Sequence, residues 1–241
     1  MSNIKFDQYK IIGVIPARGG SKGIRHKNIV PLYGKPLIEY TIEQALKSKF
    51  LDRIIVSTDS KRIAEVAKKF CKFGVEIFKR PKCLSQDSTL TVDVLRYLLK
   101  NIKNKNNYMP DIVVTLQPTS PFRKFSTIDR AIIKLIEGKY DSIITICKAE
   151  RTPYKMYILK KGLIKPLLCA GKYIEKPRQI IPNVFRSTGT VYVTKSSLIL
   201  KQKRIIGRKC SYIFVDRPES FDLDDKFDLK VARCIKKINR I

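Results

Sequence analysis

Along its length the chain alternates short apolar runs with longer amphipathic stretches. Ile11 to Ala17 (IIGVIPA), Arg53 to Ser57 (RIIVS), Val75 to Phe78, Asp111 to Leu116 (DIVVTL) and Ser142 to Cys147 (SIITIC) have strand length. Between them Pro36 to Lys49, Lys61 to Phe73, Leu90 to Ile102 and Ile128 to Ile136 have helix length. In the second of these, Ile63, Val66, Ala67 and Phe70 recur at i, i+3, i+4 and i+7, one face of a helix. Continuous apolar strands separated by helices predict an α/β fold, a mostly parallel sheet with helices on both faces. The pattern breaks from Ala149 to Asn183, where Pro153, Pro166, Pro177 and Pro182, with Gly162 and Gly171, punctuate short segments. Here the sequence predicts a small irregular or hairpin-like β excursion (149–188), a lid or subunit-contact arm within a single domain (1–241). The alternation resumes with Thr190 to Val193 and Tyr212 to Val215, and a helix from about Asp225 to Ile238 closes the chain.

Composition narrows the classes. At 241 residues and 44% hydrophobic the chain is too apolar for general disorder and long enough to build a core without disulfide or metal staples. It has no run of 18 apolar residues, and Met1 to Lys10 is polar rather than signal-like, so a cytoplasmic protein with no membrane partner is expected. The six cysteines (Cys71, Cys83, Cys147, Cys169, Cys210, Cys234) form no C-x-x-C pair and read as buried, inert thiols of a reducing compartment. The single histidine, His26, reads as a loop residue; it excludes a histidine-rich metal site and is the one candidate for Ser-His or Cys-His catalysis.

The charge changes the picture more. Fifty Lys+Arg against 21 Asp+Glu give +29, which suits a nucleic-acid binder, an enzyme of polyanionic substrates or a lysine-rich proteome. Many cations fall in plain surface stretches such as Lys100 to Lys105 and Lys201 to Lys209. There is no aromatic-interleaved basic stripe and no zinc-finger, basic-zipper or RNP-like signature, so nucleic acid is not an expected partner. A basic nucleic-acid-binding protein stays as the alternative of a different class; it requires salt-steep binding that Lys22→Ala barely alters.

Directly after the first strand comes Arg18-Gly19-Gly20-Ser21-Lys22-Gly23, followed by Lys27-Asn28. Glycines let backbone N–H groups approach phosphate oxygens, and Arg18, Lys22 and Lys27 put three cations on one loop, suited to a triphosphate. The glycines at 19, 20 and 23 match neither the P-loop nor the dinucleotide fingerprint. Asp222 and Asp224 are two apart, so in an extended segment both carboxylates face one way and can converge on a hard cation; the lesser alternative is that Asp224 and Asp225 merely cap the closing helix. Gln117 ends a buried strand, where a polar side chain points into the ligand crevice of an open α/β sheet.

The Arg18–Asn28 loop resembles the nucleotide-binding loop of the acylneuraminate cytidylyltransferases, the CMP-sialic acid synthetases. The resemblance runs from about Ile11 to Ala232 and includes Ile55-Val-Ser-Thr-Asp59, Arg80-Pro81, Leu84 to Thr91 (LSQDSTLT), Leu116 to Arg123 (LQPTSPFR), Lys176 to Gln179, Phe185-Arg186 with Gly189 to Tyr192, and Ser220 to Asp224. It implies a nucleotide-diphospho-sugar transferase-like fold, and a reaction of CTP with a nonulosonic acid giving the CMP-sugar and pyrophosphate. It assigns Arg18, Gly19, Lys22, Lys27 and Asn28 to the nucleotide, Arg80, Thr89 and Thr91 to the cytidine, and Mg²⁺ to Asp222 and Asp224. Asp87-Ser88-Thr89 can also cap the following helix. Arg178 is marked as an active-site arginine, and Gln117, Arg178, Gln179, Arg186 and Tyr192 as sugar contacts, arginine offering a carboxylate its bidentate fork. Arg18, Lys22, Lys27 and Arg178 are thus the expected catalytic set. The family commonly forms dimers, so a homodimer is expected. Legionaminic and pseudaminic acid are the alternative sugars. The octulosonate cytidylyltransferases are more distant, their first loop running differently.

Overall fold

The computed structural model describes residues 6–168 and 171–239. In chain order its elements are β1 (Ile11–Pro16), β2 (Pro31–Leu32), β3 (Lys35–Pro36), α1 (Leu37–Leu46), β4 (Arg53–Thr58), α2 (Lys61–Lys68), β5 (Val75–Lys79), α3 (Thr91–Asn106), β6 (Ile112–Thr115), α4 (Phe125–Glu137), β7 (Ser142–Lys148), β8 (Tyr157–Lys160), β9 (Leu163–Pro166), β10 (Phe185–Lys195), α5 (Ser196–Gln202), β11 (Cys210–Phe214) and α6 (Lys226–Asn239). Seven strands form one sheet in the order β11-β7-β10-β6-β1-β4-β5. Every neighbouring pair is parallel except those of β10, which runs antiparallel to both β6 and β7.

The central strands are apolar throughout because both faces are covered. Ile11 and Ile15 of β1 pack with α1, α2 and α4 on one side, while Ile12 and Val14 pack with α3 and α5 on the other. The same alternation holds for Ile54 and Val56 against Ile55, and for Ile112 and Val114 against Val113. A third cluster joins Leu229 and Ala232 of α6 to Ile24, Leu32, Leu37 and Leu223, tying the C-terminal helix to the loop after β1.

Several boundaries differ from expectation. α2 ends at Lys68, and Cys71–Phe73 is a separate 3₁₀ turn leading to Gly74 at φ 90°. α4 begins three residues earlier than the apolar periodicity suggests. The strand expected at Thr190–Val193 extends over 11 residues with a register shift between Ser187 and Tyr192. α5 replaces the start of a stretch read as plain basic surface. In the excursion, β8 and β9 form a hairpin that pairs with no other strand. The cysteine expectation needs correction. Cys147 is buried, but Cys71, Cys83 and Cys234 are exposed, since they sit on 3₁₀ turns and on the outer face of α6. Cys169 lies outside the described residues. Among the described residues no helix is long and apolar enough to cross a membrane.

Candidate active site

The loop following β1 emerges at the carboxyl ends of the parallel strands β1, β4 and β6, where open α/β sheets take ligands. Its path is fixed by close approaches. Gly19 N–H donates to Asp59 Oδ1 at 2.9 Å, and a Cβ at Gly19 would lie 2.8 Å from Ser60 Cβ. A Cβ at Gly23 would run into the carbonyl oxygen of Asp224, so only glycine lets the loop lie against that segment. His26 takes the left-handed conformation, φ 56°, at the entrance to a 3₁₀ turn, with Nε2 3.0 Å from Arg62 Nη1. It is a loop residue, outside the cavity. Asn28 is buried, and its amide donates to the Arg18 carbonyl at 2.9 Å, bracing the loop from within.

A cavity of about 430 Å³ opens over this loop. Of the residues singled out from sequence, Arg18, Lys22, Lys27, Asn28, Arg80, Thr89, Thr91, Gln117, Asp222 and Asp224 all line it, drawn from loops up to 206 positions apart (Arg18 to Asp224). Gly19 stands behind the wall, engaged with Asp59. Arg18, Lys22 and Lys27 are each paired within the protein. Asp87 bridges Arg18 Nη1 and Lys22 Nζ, each at 2.7 Å, and these two partners, Lys22 first, hold its carboxyl below the usual range. Lys27 Nζ lies 2.9 Å from Asp224 Oδ1.

Arg80 closes the inner wall. It is buried, its Nε and Nη2 have no hydrogen-bond partner, and Asp59 Oδ1 lies 4.0 Å from Nη2. Burial pushes the guanidinium pKa down, so an unsatisfied cation faces the cavity. Thr89 accepts from the Gln86 N–H at 3.1 Å, and α3 begins behind Leu90 with no side-chain cap. The residues 87–89 are therefore not its cap.

Leu223 is fully buried and its N–H donates to the Thr119 carbonyl at 2.9 Å, so Asp222 and Asp224 on either side of it face the cavity together. Asp225, not Asp224, caps α6: its Oδ1 accepts from the Phe227 and Asp228 N–H groups at 2.7 and 2.9 Å. Asp222 Oδ1 is buried with no hydrogen-bond donor. An orphaned carboxylate oxygen beside a second carboxylate fits a hard cation with remaining positions for phosphate oxygens. Among the described residues no group of three or more His, Cys, Asp or Glu gathers to hold a metal ion.

A second cavity, about 740 Å³, shares Asp222 and Asp224 with the first and is also lined by Arg186, Arg217, Phe221 and Phe227. Arg186 Nη2 donates to the Ser220 carbonyl at 3.3 Å. Tyr192 lies near: burial, then the charge of Asp222, raises its pKa. Arg178 and Gln179 are not brought to either cavity. They sit exposed on a 3₁₀ turn of the excursion, where Arg178 lines a separate small cavity that shares Glu150 with the second.

Two residues escaped the sequence reading. From sequence, Asp87 reads only as part of a helix cap. Arg123 is fully buried and donates to three oxygens: the Thr190 carbonyl at 2.5 Å, Thr41 Oγ1 at 2.8 Å and the Gln117 carbonyl at 2.6 Å. Burial lowers its pKa to about 9, with Glu219 and Asp222 acting the other way, so it stays charged at neutral pH. It pins the strand end that carries Gln117. The signal available was an arginine closing the LQPTSPFR stretch.

The cytidylyltransferase family model matches residues 12–207. A CMP-N,N'-diacetyllegionaminic acid synthase of Legionella pneumophila is 32% identical over 239 residues, 96% of this chain and 98% of that one. An N-acylneuraminate cytidylyltransferase of Escherichia coli is 30% identical over 237 residues, 95% of this chain and 52% of that longer protein. Among solved structures, a CMP:2-keto-3-deoxy-manno-octonic acid synthetase complexed with CTP has a TM-score of 0.68 at 16% identity, covering 95% of this chain and 99% of that one, a likeness of fold.

Proposed function

This chain belongs to the cytidylyltransferase family, and we propose that it transfers CMP from CTP to a nonulosonic acid, sialic acid or a close analogue, releasing pyrophosphate. The observation that carries the reading is a single cavity combining a Gly-rich cationic loop, the unsatisfied Arg80 guanidinium and the Asp222–Asp224 pair. The anomeric oxygen of the sugar attacks the α-phosphorus, the bond to the pyrophosphate oxygen breaks in line, and the hydroxyl proton passes to solvent water. Arg18, Lys22 and Lys27 neutralise charge on the leaving pyrophosphate, so catalysis is positioning plus electrostatics. Asn28 braces the loop, while Arg80, Thr89 and Thr91 face the cytidine.

Asp222 and Asp224 would hold Mg²⁺, whose bound charge offsets that of the phosphates. The orphaned Asp222 Oδ1 supports this assignment. The acceptor fits the second cavity, since Arg186 there can meet a carboxylate and the shared aspartates adjoin both pockets. Gln117 lines the first cavity and Tyr192 lies near Asp222, while Arg178 and Gln179, outside both cavities, would reach the acceptor only by movement of the excursion. Legionaminic and pseudaminic acids need the same phosphate chemistry and remain the alternative acceptors; the relatives at 32% and 30% identity are named for different sugars. The reading requires a compartment that supplies CTP, the cytoplasm. A homodimer is supported by the apolar excursion: Ile158, Leu159, Leu163 and Ile164 are exposed on the hairpin, Leu159 at 83%.

Isotope placement tests the reaction type. With CTP labelled on the α-phosphate the label is expected in the sugar product, and with γ-labelled CTP in pyrophosphate; γ-label on the sugar would mean phosphoryl transfer instead.

A further inference from the structure

Asp87 stands where the proposed substrate should. Its two carboxylate oxygens contact two different cations, Oδ1 to Arg18 and Oδ2 to Lys22, each at 2.7 Å, in the manner of two oxygens of one phosphate group. It reaches them from the tip of a turn. Gln86 N–H donates to Thr89 Oγ1 at 3.1 Å and Thr89 N–H to the Gln86 carbonyl at 3.2 Å, closing residues 86–89 without help from the Asp87 side chain. The side chains of Asp87 and Lys22 are 47% and 84% exposed, so the bridge is solvent-reachable and screened, a contact that breaks and reforms readily.

We propose that Asp87 is an internal competitor of phosphate: it holds Arg18 and Lys22 until the polyphosphate of the nucleotide displaces it, and reclaims them as pyrophosphate leaves. The inference rests on reading the loop as the phosphate site. The surface carries a large excess of cations, and an unblocked Arg18–Lys22 pair would collect any small anion. A carboxylate already bridging the pair raises the threshold. CTP passes it because Arg80, Thr89 and Thr91 line the same cavity and add contacts to the nucleoside that pyrophosphate or another lone anion does not make. The residue therefore favours nucleotide over its own by-product and assists release of the latter.

The test is titration calorimetry with inorganic pyrophosphate on the full chain, comparing wild type, Asp87→Asn, Asp87→Ser and Lys22→Ala at one ionic strength. Removing the competitor is expected to tighten pyrophosphate binding about fivefold to tenfold in both Asp87 variants, and to lower the inhibition constant of pyrophosphate in turnover by the same factor. Lys22→Ala is expected to weaken binding. Asp87 variants that bind pyrophosphate no more tightly than wild type overturn the proposal while leaving the phosphate site standing. Pyrophosphate binding that Lys22→Ala does not change, or no binding by any form, removes the phosphate-site reading itself, and the proposal with it.

Discussion

Lys27 Nζ lies 2.9 Å from Asp224 Oδ1, joining residues 197 positions apart in sequence. One belongs to the loop read as a phosphate cradle, the other to the pair read as a metal site. With Gly23 pressed on the Asp224 backbone, this contact makes loop and carboxylates one unit. The ammonium and the carboxylate offset each other's charge, so a phosphate that draws Lys27 away leaves Asp224 to be satisfied by a cation.

The orphaned Asp222 Oδ1 gives a test of that unit. In wild type, Mg²⁺ with CTP is expected to raise the thermal midpoint beyond CTP alone, since a ligand that binds only the folded state stabilises it. Asp222→Asn is expected to abolish the Mg²⁺-dependent increment and to cut kcat by about a hundredfold or more, without lowering the midpoint of the apo protein. Thermal shift assays read the first effect and steady-state kinetics the second.

Arg123→Met is expected to destabilise the fold by about 3–5 kcal/mol. The substitution leaves the Gln117 and Thr190 carbonyls and Thr41 Oγ1 without their donor, and leaves Glu219, buried at 2% exposure, with one cation fewer, Lys124 Nζ staying at 3.9 Å. Urea unfolding monitored by circular dichroism measures the loss; an unchanged midpoint would contradict the anchoring role.

Tyr40 donates to the Leu32 carbonyl at 2.6 Å, and burial, reinforced by Glu43 and Tyr33, pushes its pKa from 10.0 up to about 12. The fold thus favours the protonated phenol. Its contribution to stability is complete below pH 10 and is lost as pH rises towards 12. Alkaline titration of tyrosinate absorbance is expected to lose a group ionising near 12 in Tyr40→Phe.

The hairpin of the excursion gives a prediction about assembly. Leu159→Lys combined with Ile164→Lys is expected to convert dimer to monomer in sedimentation velocity without changing the far-ultraviolet spectrum, because both side chains are exposed in the single chain. Unaltered sedimentation of the double variant would remove the hairpin as the interface.

The central strands were legible because burial on both faces leaves an unbroken apolar run, as in Ile11–Pro16 and Ile112–Thr115. β10 was mostly hidden, since Arg186, Ser187, Thr188 and Gly189 interrupt its apolar pattern at the irregular register. The site was legible wherever chemistry is local: the glycines and cations between residues 18 and 28, and the i, i+2 aspartates. It was illegible where a role depends on distant partners. Arg123 finds two of its three acceptors on residues 82 and 67 positions away, which the LQPTSPFR stretch around it does not name, and Asp87 finds its cations on the loop after β1. Arg178 and Gln179 lie apart from the cavity that collects the other residues, on a 3₁₀ turn of the excursion where Arg178 lines a separate small cavity.

The most direct measurement is pyrophosphate release from CTP and Mg²⁺ by the purified chain, with N-acetylneuraminic, legionaminic or pseudaminic acid, or no sugar. Release that requires one of the sugars, and that Lys22→Ala reduces by about a hundredfold or more, is the expected result, and the ratios of kcat/KM name the acceptor. Folded protein that releases no pyrophosphate with any of the three would contradict the proposed reaction.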